Sequence, residues 1–187
     1  MNQPRPIYQI EKNEILRKAY QLLAYFLANR HIARLAHPDD QNEPLKVLEN
    51  RFLKNEVSIL LLEVAILFRS LDDQLKNSPD ANELQIYLEK ADIANKRYGF
   101  DMFDKLSIRK CCNKIIHATI FEMLETDGGG SHAKDYGAYY DYDKREIVWR
   151  HLSGDIRISG EYKNLRWVYL INVIEFVEAI SYLLNDG

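Results

Sequence analysis

The chain has little of what marks a secreted, metal-binding or membrane protein. Its two cysteines, Cys111 and Cys112, are adjacent. Neighbouring side chains on a helix point about 100° apart, which suits neither a metal-binding pair nor an ordinary disulfide. No H-x-x-x-H or C-x-x-C spacing occurs, and the richest apolar run, residues 59–68, is interrupted by Glu63. We therefore expect two reduced core cysteines, no metal, no cofactor and no membrane span.

The chain also lacks an excess of positive charge. Lys and Arg total 25 against 28 Asp and Glu, which gives a net charge of −3. Without a global basic field, any contact with RNA must come from a local patch. The N-terminal sequence MNQPRPIYQIEKNE has no apolar signal-peptide core. With 47% hydrophobic residues and no break in composition, residues 1–187 are predicted to form a single cytoplasmic domain.

Helical periodicity dominates the chain after an extended leader over residues 1–10. Pro44 suits the first position of a long helix that contains no internal glycine or proline. Asp80 and Glu83 have the spacing of a capping box for the next helix. Helices are predicted over residues 11–36, 44–76, 80–98 and 107–125.

From residue 136 onward, the spacing of apolar residues changes from the helical period to the alternation of apolar and polar residues that is typical of strands. The pattern predicts a β-hairpin insertion over residues 136–162, with Ser153-Gly154-Asp155 as a turn and residues 136–140 as the first strand of a meander. An amphipathic helix over residues 165–184 closes the chain. The fold class is mainly α: a helical bundle with a small antiparallel β-hairpin or meander before the C-terminal helix.

Arginines and tyrosines of the insertion have two interpretations. They could form a basic and aromatic surface that stacks bases, but tyrosine is equally a good strand former. The residues concerned are Arg145, Arg150, Arg157, Tyr136, Tyr139, Tyr140 and Tyr142.

Residues 107–119, SIRKCCNKIIHAT, place polar groups on a helix that also has a strong apolar face. Arg109, Asn113 and His117 recur at four-residue steps, so they lie along one side with a drift of about 40° per step. Lys110 and Lys114 flank this stripe. We call the helix that is predicted to begin with this segment, over residues 107–125, the motif helix.

The residue types of the motif helix suit phosphate chemistry. A first-turn Arg109 lies where unpaired amides and the helix dipole favour an anion, and His117 could act as an acid or base near neutral pH. Lys110, Lys114 and Glu63 would bind substrate. Glu63 has no opposite charge three or four positions away, so we expect it to join Arg109, Asn113 and His117 in one polar network. A purely structural role for these groups stays open.

The segment N-K-I-I-H, residues 113–117, resembles the HEPN superfamily of compact helical domains, many of them RNases of toxin and antiphage systems. The signature of that family is an Arg, four to six residues, then a His, commonly with Asn directly after the Arg. In this chain Cys112 precedes Asn113, while seven residues separate Arg109 from His117. Lys110 fits a spacing of six, but lysine lacks the planar fork of arginine.

The resemblance implies metal-independent RNA cleavage. His117 would exchange a proton, Arg109 or Lys110 would stabilise the phosphorane charge, and Asn113 would orient the site. It also implies a homodimer in which two motif helices meet. The departure at Cys112 leaves open a HEPN-like fold that lacks catalysis and acts as a binding or regulatory module. A third interpretation is an unrelated helical scaffold whose hairpin binds a protein partner through its edge strand.

Overall fold

The computed structural model describes residues 10–36, 42–98, 106–128 and 149–185. Helices precede a small antiparallel sheet, and a final helix follows it, as the sequence predicts. In chain order the elements are α1 Lys12–Leu35, α2 Pro44–Lys76, α3 Ala81–Arg97, α4 Ile108–Ile116, β1 Ile120–Gly128, β2 Trp149–Tyr162, β3 Leu165–Asn172 and α5 Val173–Leu184.

Several sequence-based predictions concern residues outside these ranges. They are the leader over residues 1–9, the strand over residues 136–140, and the contributions of Tyr136, Tyr139, Tyr140, Tyr142 and Arg145 to a basic and aromatic surface.

The two long helices run antiparallel. Lys18 Nζ lies 2.9 Å from Glu63 Oε2, and Asn29 Nδ2 lies 2.5 Å from Glu49 Oε1, so increasing numbers on α1 meet decreasing numbers on α2. Helix α2 begins at Pro44 and ends at Lys76, as predicted. The apolar faces of the helices and the inner face of the sheet share one core.

Helix α3 is capped as its sequence indicates. The Asp80 carboxylate accepts hydrogen bonds from the backbone N–H groups of Asn82, at 2.9 Å, and Glu83, at 3.2 Å. These bonds satisfy two of the amides that a helix start leaves without internal partners. The helix ends at Arg97, one residue before the predicted end at Tyr98.

The prediction that the motif helix reaches Glu125 is wrong. The helix ends at Ile116, and β1 starts at Ile120. In the β1–β2 register Phe121 lies opposite Ile158 and Met123 opposite Ile156. Pairing these apolar side chains across strands outweighs the helical tendency of the segment, because the alternation places them on the core side.

The predicted turn at Ser153-Gly154-Asp155 is a bulge inside the continuous strand β2. Met123 pairs with Ile156 and Glu125 with Leu152, so three residues of β2 oppose one of β1. Gly154 has φ 98°, which glycine adopts at little cost.

The hairpin turn lies instead at Lys163 and Asn164. Both have positive φ, 50° and 63°, as a two-residue turn between twisted strands requires. The last helix therefore starts at Val173 rather than residue 165, because Leu165–Asn172 pairs with β2 as strand β3. The strand order is β1-β2-β3.

Candidate functional site

The motif helix is α4, and side chains accept hydrogen bonds from the backbone amides at its N-terminus. Ser107 Oγ accepts from the Lys110 amide at 3.4 Å, and the Ile108 amide donates to Asn95 Oδ1 at 3.0 Å. Two of the first-turn amides that could bind an anion are therefore in use. Both cysteines are free and buried, as predicted, and burial raises the pKa of the Cys112 thiol.

Arg109 points at α2 and is bound by two consecutive aspartates. Its Nη2 lies 2.7 Å from Asp73 Oδ1, and its Nη1 donates to Asp72 Oδ2. The Arg109 side chain is 33% exposed and that of Asp72 only 3%. Its guanidinium is thus committed to a partly buried ion pair.

The Asp72 carboxylate also contacts donors other than Arg109. Tyr87 Oη donates to its Oδ1 at 2.5 Å, and Lys76 Nζ lies 3.0 Å from the same oxygen. Burial raises the pKa of Tyr87, which keeps the phenol protonated as a donor. Burial, followed by the nearby charge of Arg69, lowers the pKa of Lys76. Several donors thus compensate the buried carboxylate, as a charge at such a position requires.

Asn113 joins this cluster through Arg69. Arg69 Nε donates to Asn113 Oδ1 at 3.0 Å, and the Arg69 guanidinium also pairs with Asp73. We refer to the cluster as the Asp72 network; its members are Arg69, Asp72, Asp73, Lys76, Tyr87, Arg109 and Asn113.

The predicted four-residue network therefore holds only in part. Arg109 and Asn113 are connected through Asp73 and Arg69. Glu63 instead pairs with Lys18 of α1, a contact between helices that the spacing of charges along α2 does not indicate.

His117 lies just beyond the end of α4. Its side chain is exposed, although apolar residues surround it in sequence, and its backbone amide donates to the Asn113 carbonyl at 3.1 Å. It lies eight positions after Arg109, which corresponds to about 12 Å along a helix axis. Lys110 is also exposed. The structure thus brings Arg109 and Asn113 together but not Arg109 and His117.

Lys114 faces the sheet. Its Nζ lies 4.5 Å from the Trp167 ring centroid and 4.8 Å from that of Tyr169, both within cation–π range. Trp167 also covers Gly160, where an added Cβ would lie 2.3 Å from the indole and 2.9 Å from the His117 carbonyl oxygen. The absence of a side chain at Gly160 lets the end of α4 approach the sheet.

Sequence reasoning missed a second buried polar contact, at Asn29. Its Oδ1 accepts from the Leu152 amide at 2.6 Å, and its Nδ2 donates to Glu49. The signal was present, because Asn29 continues the three- and four-residue spacing of buried positions on α1. This contact ties α1, α2 and the bulged strand together.

Within the described ranges, no group of three or more His, Cys, Asp or Glu side chains could hold a metal ion. None of the described helices combines the length and the apolar character needed to cross a membrane. Comparison of the chain with protein-family models, with curated proteins and with solved structures found no match.

Proposed function

We propose that this chain is a HEPN-like binding module whose motif helix is structural rather than catalytic. The observation that carries the proposal is the double ion pair of Arg109 with Asp72 and Asp73. In a phosphate-cleaving site this guanidinium would need to face substrate.

The surroundings of Arg109 support this proposal. A phosphate bound to Arg109 would compete with two carboxylates and would itself be repelled by them. Withdrawing one partner of a buried pair costs about 3–5 kcal/mol. Asp72 is nearly buried, so removing Arg109 would destabilise the fold by part of that free energy. Packing on α2 thus accounts for Arg109 without any substrate.

The distance between the two ends of α4 also favours a non-catalytic role. Arg109 and His117 are about 12 Å apart along the helix axis, whereas an acid–base group must come within hydrogen-bond reach of the reacting atoms. Within one chain, an Arg109 bound to Asp72 and Asp73 and a His117 about 12 Å further along the helix axis are not well placed to contact one phosphate.

A protein is a better candidate partner than RNA, because the chain is acidic overall. Among the described residues β3 pairs only with β2, and the strand exposes Leu165 by 73% and Val168 by 60%. A strand of a partner protein could extend the sheet along β3, with its own side chains beside Leu165 on one face and Val168 on the other.

A metal-independent RNase of a toxin or antiphage system is the second candidate. The exposure of His117, with an exposed Lys110 on the same helix, supports it. In this alternative His117 is the acid or base, and a cation other than Arg109 stabilises the phosphate.

RNA cleavage in the presence of a chelator distinguishes the two candidates. The test compares the wild type with His117→Ala and with the matched control His31→Ala, which removes another exposed histidine. A binding module shows no cleavage by any of the three. Cleavage by wild type and His31→Ala, lost in a folded His117→Ala variant, would establish the RNase and reject our proposal.

Site-specific photocrosslinking in the source cell tests the protein partner. A crosslinking residue at Leu165 should give one defined protein adduct, and Val168→Lys should abolish it. The control places the same residue at Ile86, an exposed position on α3. No adduct at position 165, or the same adduct from both positions, would contradict docking on β3.

A further inference from the structure

Helix α2 has two apolar faces, and only one of them contacts the core. The core face contains buried residues such as Val57, Val64 and Phe68. The opposite face is apolar as well, although a surface helix normally has a polar outer face. Its exposed side chains include Leu48 at 55%, Phe52 at 47%, Ile59 at 44% and Ile66 at 43%.

The outward residues follow a heptad spacing. Successive positions are four, three, four, three and four residues apart, the alternation of the a and d positions in a coiled coil. We call this row the α2 seam; it consists of Leu48, Phe52, Asn55, Ile59, Leu62 and Ile66. It extends about 27 Å along the helix axis.

We propose that the α2 seam pairs with the same seam of a second copy of this chain, as a parallel two-stranded coiled coil. Ile59 and Ile66 fall at a positions, and Leu48 and Leu62 at d positions. Isoleucine at a with leucine at d favours two parallel strands. The α2 seam contains no residue of the Asp72 network, although it ends at Ile66, one helical turn before Arg69, and the proposal stands whether or not the motif helix is catalytic.

The charges beside the α2 seam select the parallel orientation. Arg51 is at a g position and Glu56 at the following e position, the pair that meets across a parallel dimer. In an antiparallel dimer e positions meet e positions, so Glu56 would face a glutamate of the other copy, where like charges repel, whereas Glu49 and Glu63 already contact Asn29 and Lys18 of α1. The Arg51 guanidinium also lies 5.2 Å from the centroid of the Phe52 ring, at the flank of the seam.

Asn55 fixes the register. In a parallel in-register pair it faces Asn55 of the second copy, and each amide can both donate and accept. In a shifted pair it would face an apolar side chain and lose those bonds. One polar residue at an a position sets register in this way, at some cost in stability, and we extend the argument to Asn55 at a d position.

The molecular mass in solution, measured by light scattering after gel filtration, tests the dimer. The wild type should have the mass of two chains, and Ile59→Lys/Ile66→Lys the mass of one, with an unchanged far-ultraviolet circular dichroism spectrum. The control is Ile86→Lys/Ile93→Lys, the same change at exposed positions of α3, which should stay dimeric. A monomeric wild type, or a dimeric Ile59→Lys/Ile66→Lys variant, would overturn the proposal.

Charge reversal tests the orientation. Arg51→Glu should weaken the dimer, because the new carboxylate would face the carboxylate of Glu56 in the second copy, and Arg51→Glu/Glu56→Arg should restore it. If the double variant is as weak as the single one, the parallel pairing is wrong.

A disulfide trap tests the register. Asn55→Cys should form a linked dimer under mild oxidation, because parallel d positions face each other, whereas the exposed control Lys54→Cys should not. Equal linkage of both variants, or none at position 55, would contradict the register.

Discussion

The hydroxyl of Tyr87 on α3 lies 2.5 Å from Oδ1 of Asp72 on α2, beside the ion pair that Asp72 makes with Arg109 of α4. One buried carboxylate therefore joins three helices. A buried anion with strong donors stabilises only the arrangement that keeps all of them, so the Asp72 network specifies how α3 and α4 dock on α2.

Tyr87→Phe should destabilise the protein by about 1.5–3 kcal/mol, because a hydrogen bond to a buried charged group is lost while the ring remains. The measurement is the free energy of unfolding in urea. Tyr20→Phe is the matched control, since Tyr20 is 71% exposed. Equal stability of the two variants would show that the bond to Asp72 contributes nothing.

Arg109→Ala should destabilise by about 2–3 kcal/mol. This is less than the cost for a wholly buried pair, because Arg109 is partly exposed and Asp72 keeps Tyr87 and Lys76. Arg157→Ala breaks an exposed pair with Glu122 and should cost about 0–1 kcal/mol. The same denaturation measurement applies. A loss at Arg109 no larger than that at Arg157 would mean that the first pair is not structural.

The sequence predicted the first three helices closely and the strands poorly, for a physical reason. Helix periodicity is local, so Pro44 and the Asp80 cap located helix boundaries closely. The strand β1 and the bulge at Gly154 depend on pairing with residues distant in the chain. A Ser-Gly-Asp sequence suits a turn and a bulge equally, and only the register of the partner strand decides.

For the candidate site, the sequence identified the polar residues but not all of their partners. Arg109 and Asn113 were singled out, yet their bonds go to Asp73 and Arg69 of α2. Arg69 contacts Asp73 and Asn113 together. Which helix a charged side chain faces depends on tertiary packing, which spacing alone does not specify.

Gly160→Ala should destabilise by about 1–3 kcal/mol through overpacking, because the new methyl group would overlap Trp167 and the His117 carbonyl. The near-ultraviolet circular dichroism of the tryptophans should change as the Trp167 ring moves. In a Trp167→Leu background the cost of Gly160→Ala should fall, as a double-mutant cycle detects. An unchanged cost would assign the effect to the backbone contact alone.

Glu49→Gln should stabilise the protein near neutral pH and change little in acid. Burial, the largest cause, raises the pKa of Glu49 from its ordinary 4.5, and the charge of Glu125 adds to the shift, while the Asn29 hydrogen bond and Lys46 oppose it. Because the folded-state pKa is the higher one, protonation favours the fold. The stability that protonation of Glu49 contributes is fully present below about pH 4.5 and is lost as the pH rises through the folded-state pKa.

Glutamine avoids this loss of stability at neutral pH, because it stays neutral while its carbonyl oxygen still accepts a hydrogen bond from Asn29. Urea denaturation of both proteins across the pH range, with the difference plotted against pH, checks this. Glu89→Gln is the control, because Glu89 also accepts an amide hydrogen bond, from Gln85, but at an exposed site. A stability difference that does not grow between acid and neutral pH would show that the Glu49 carboxylate is not penalised by burial.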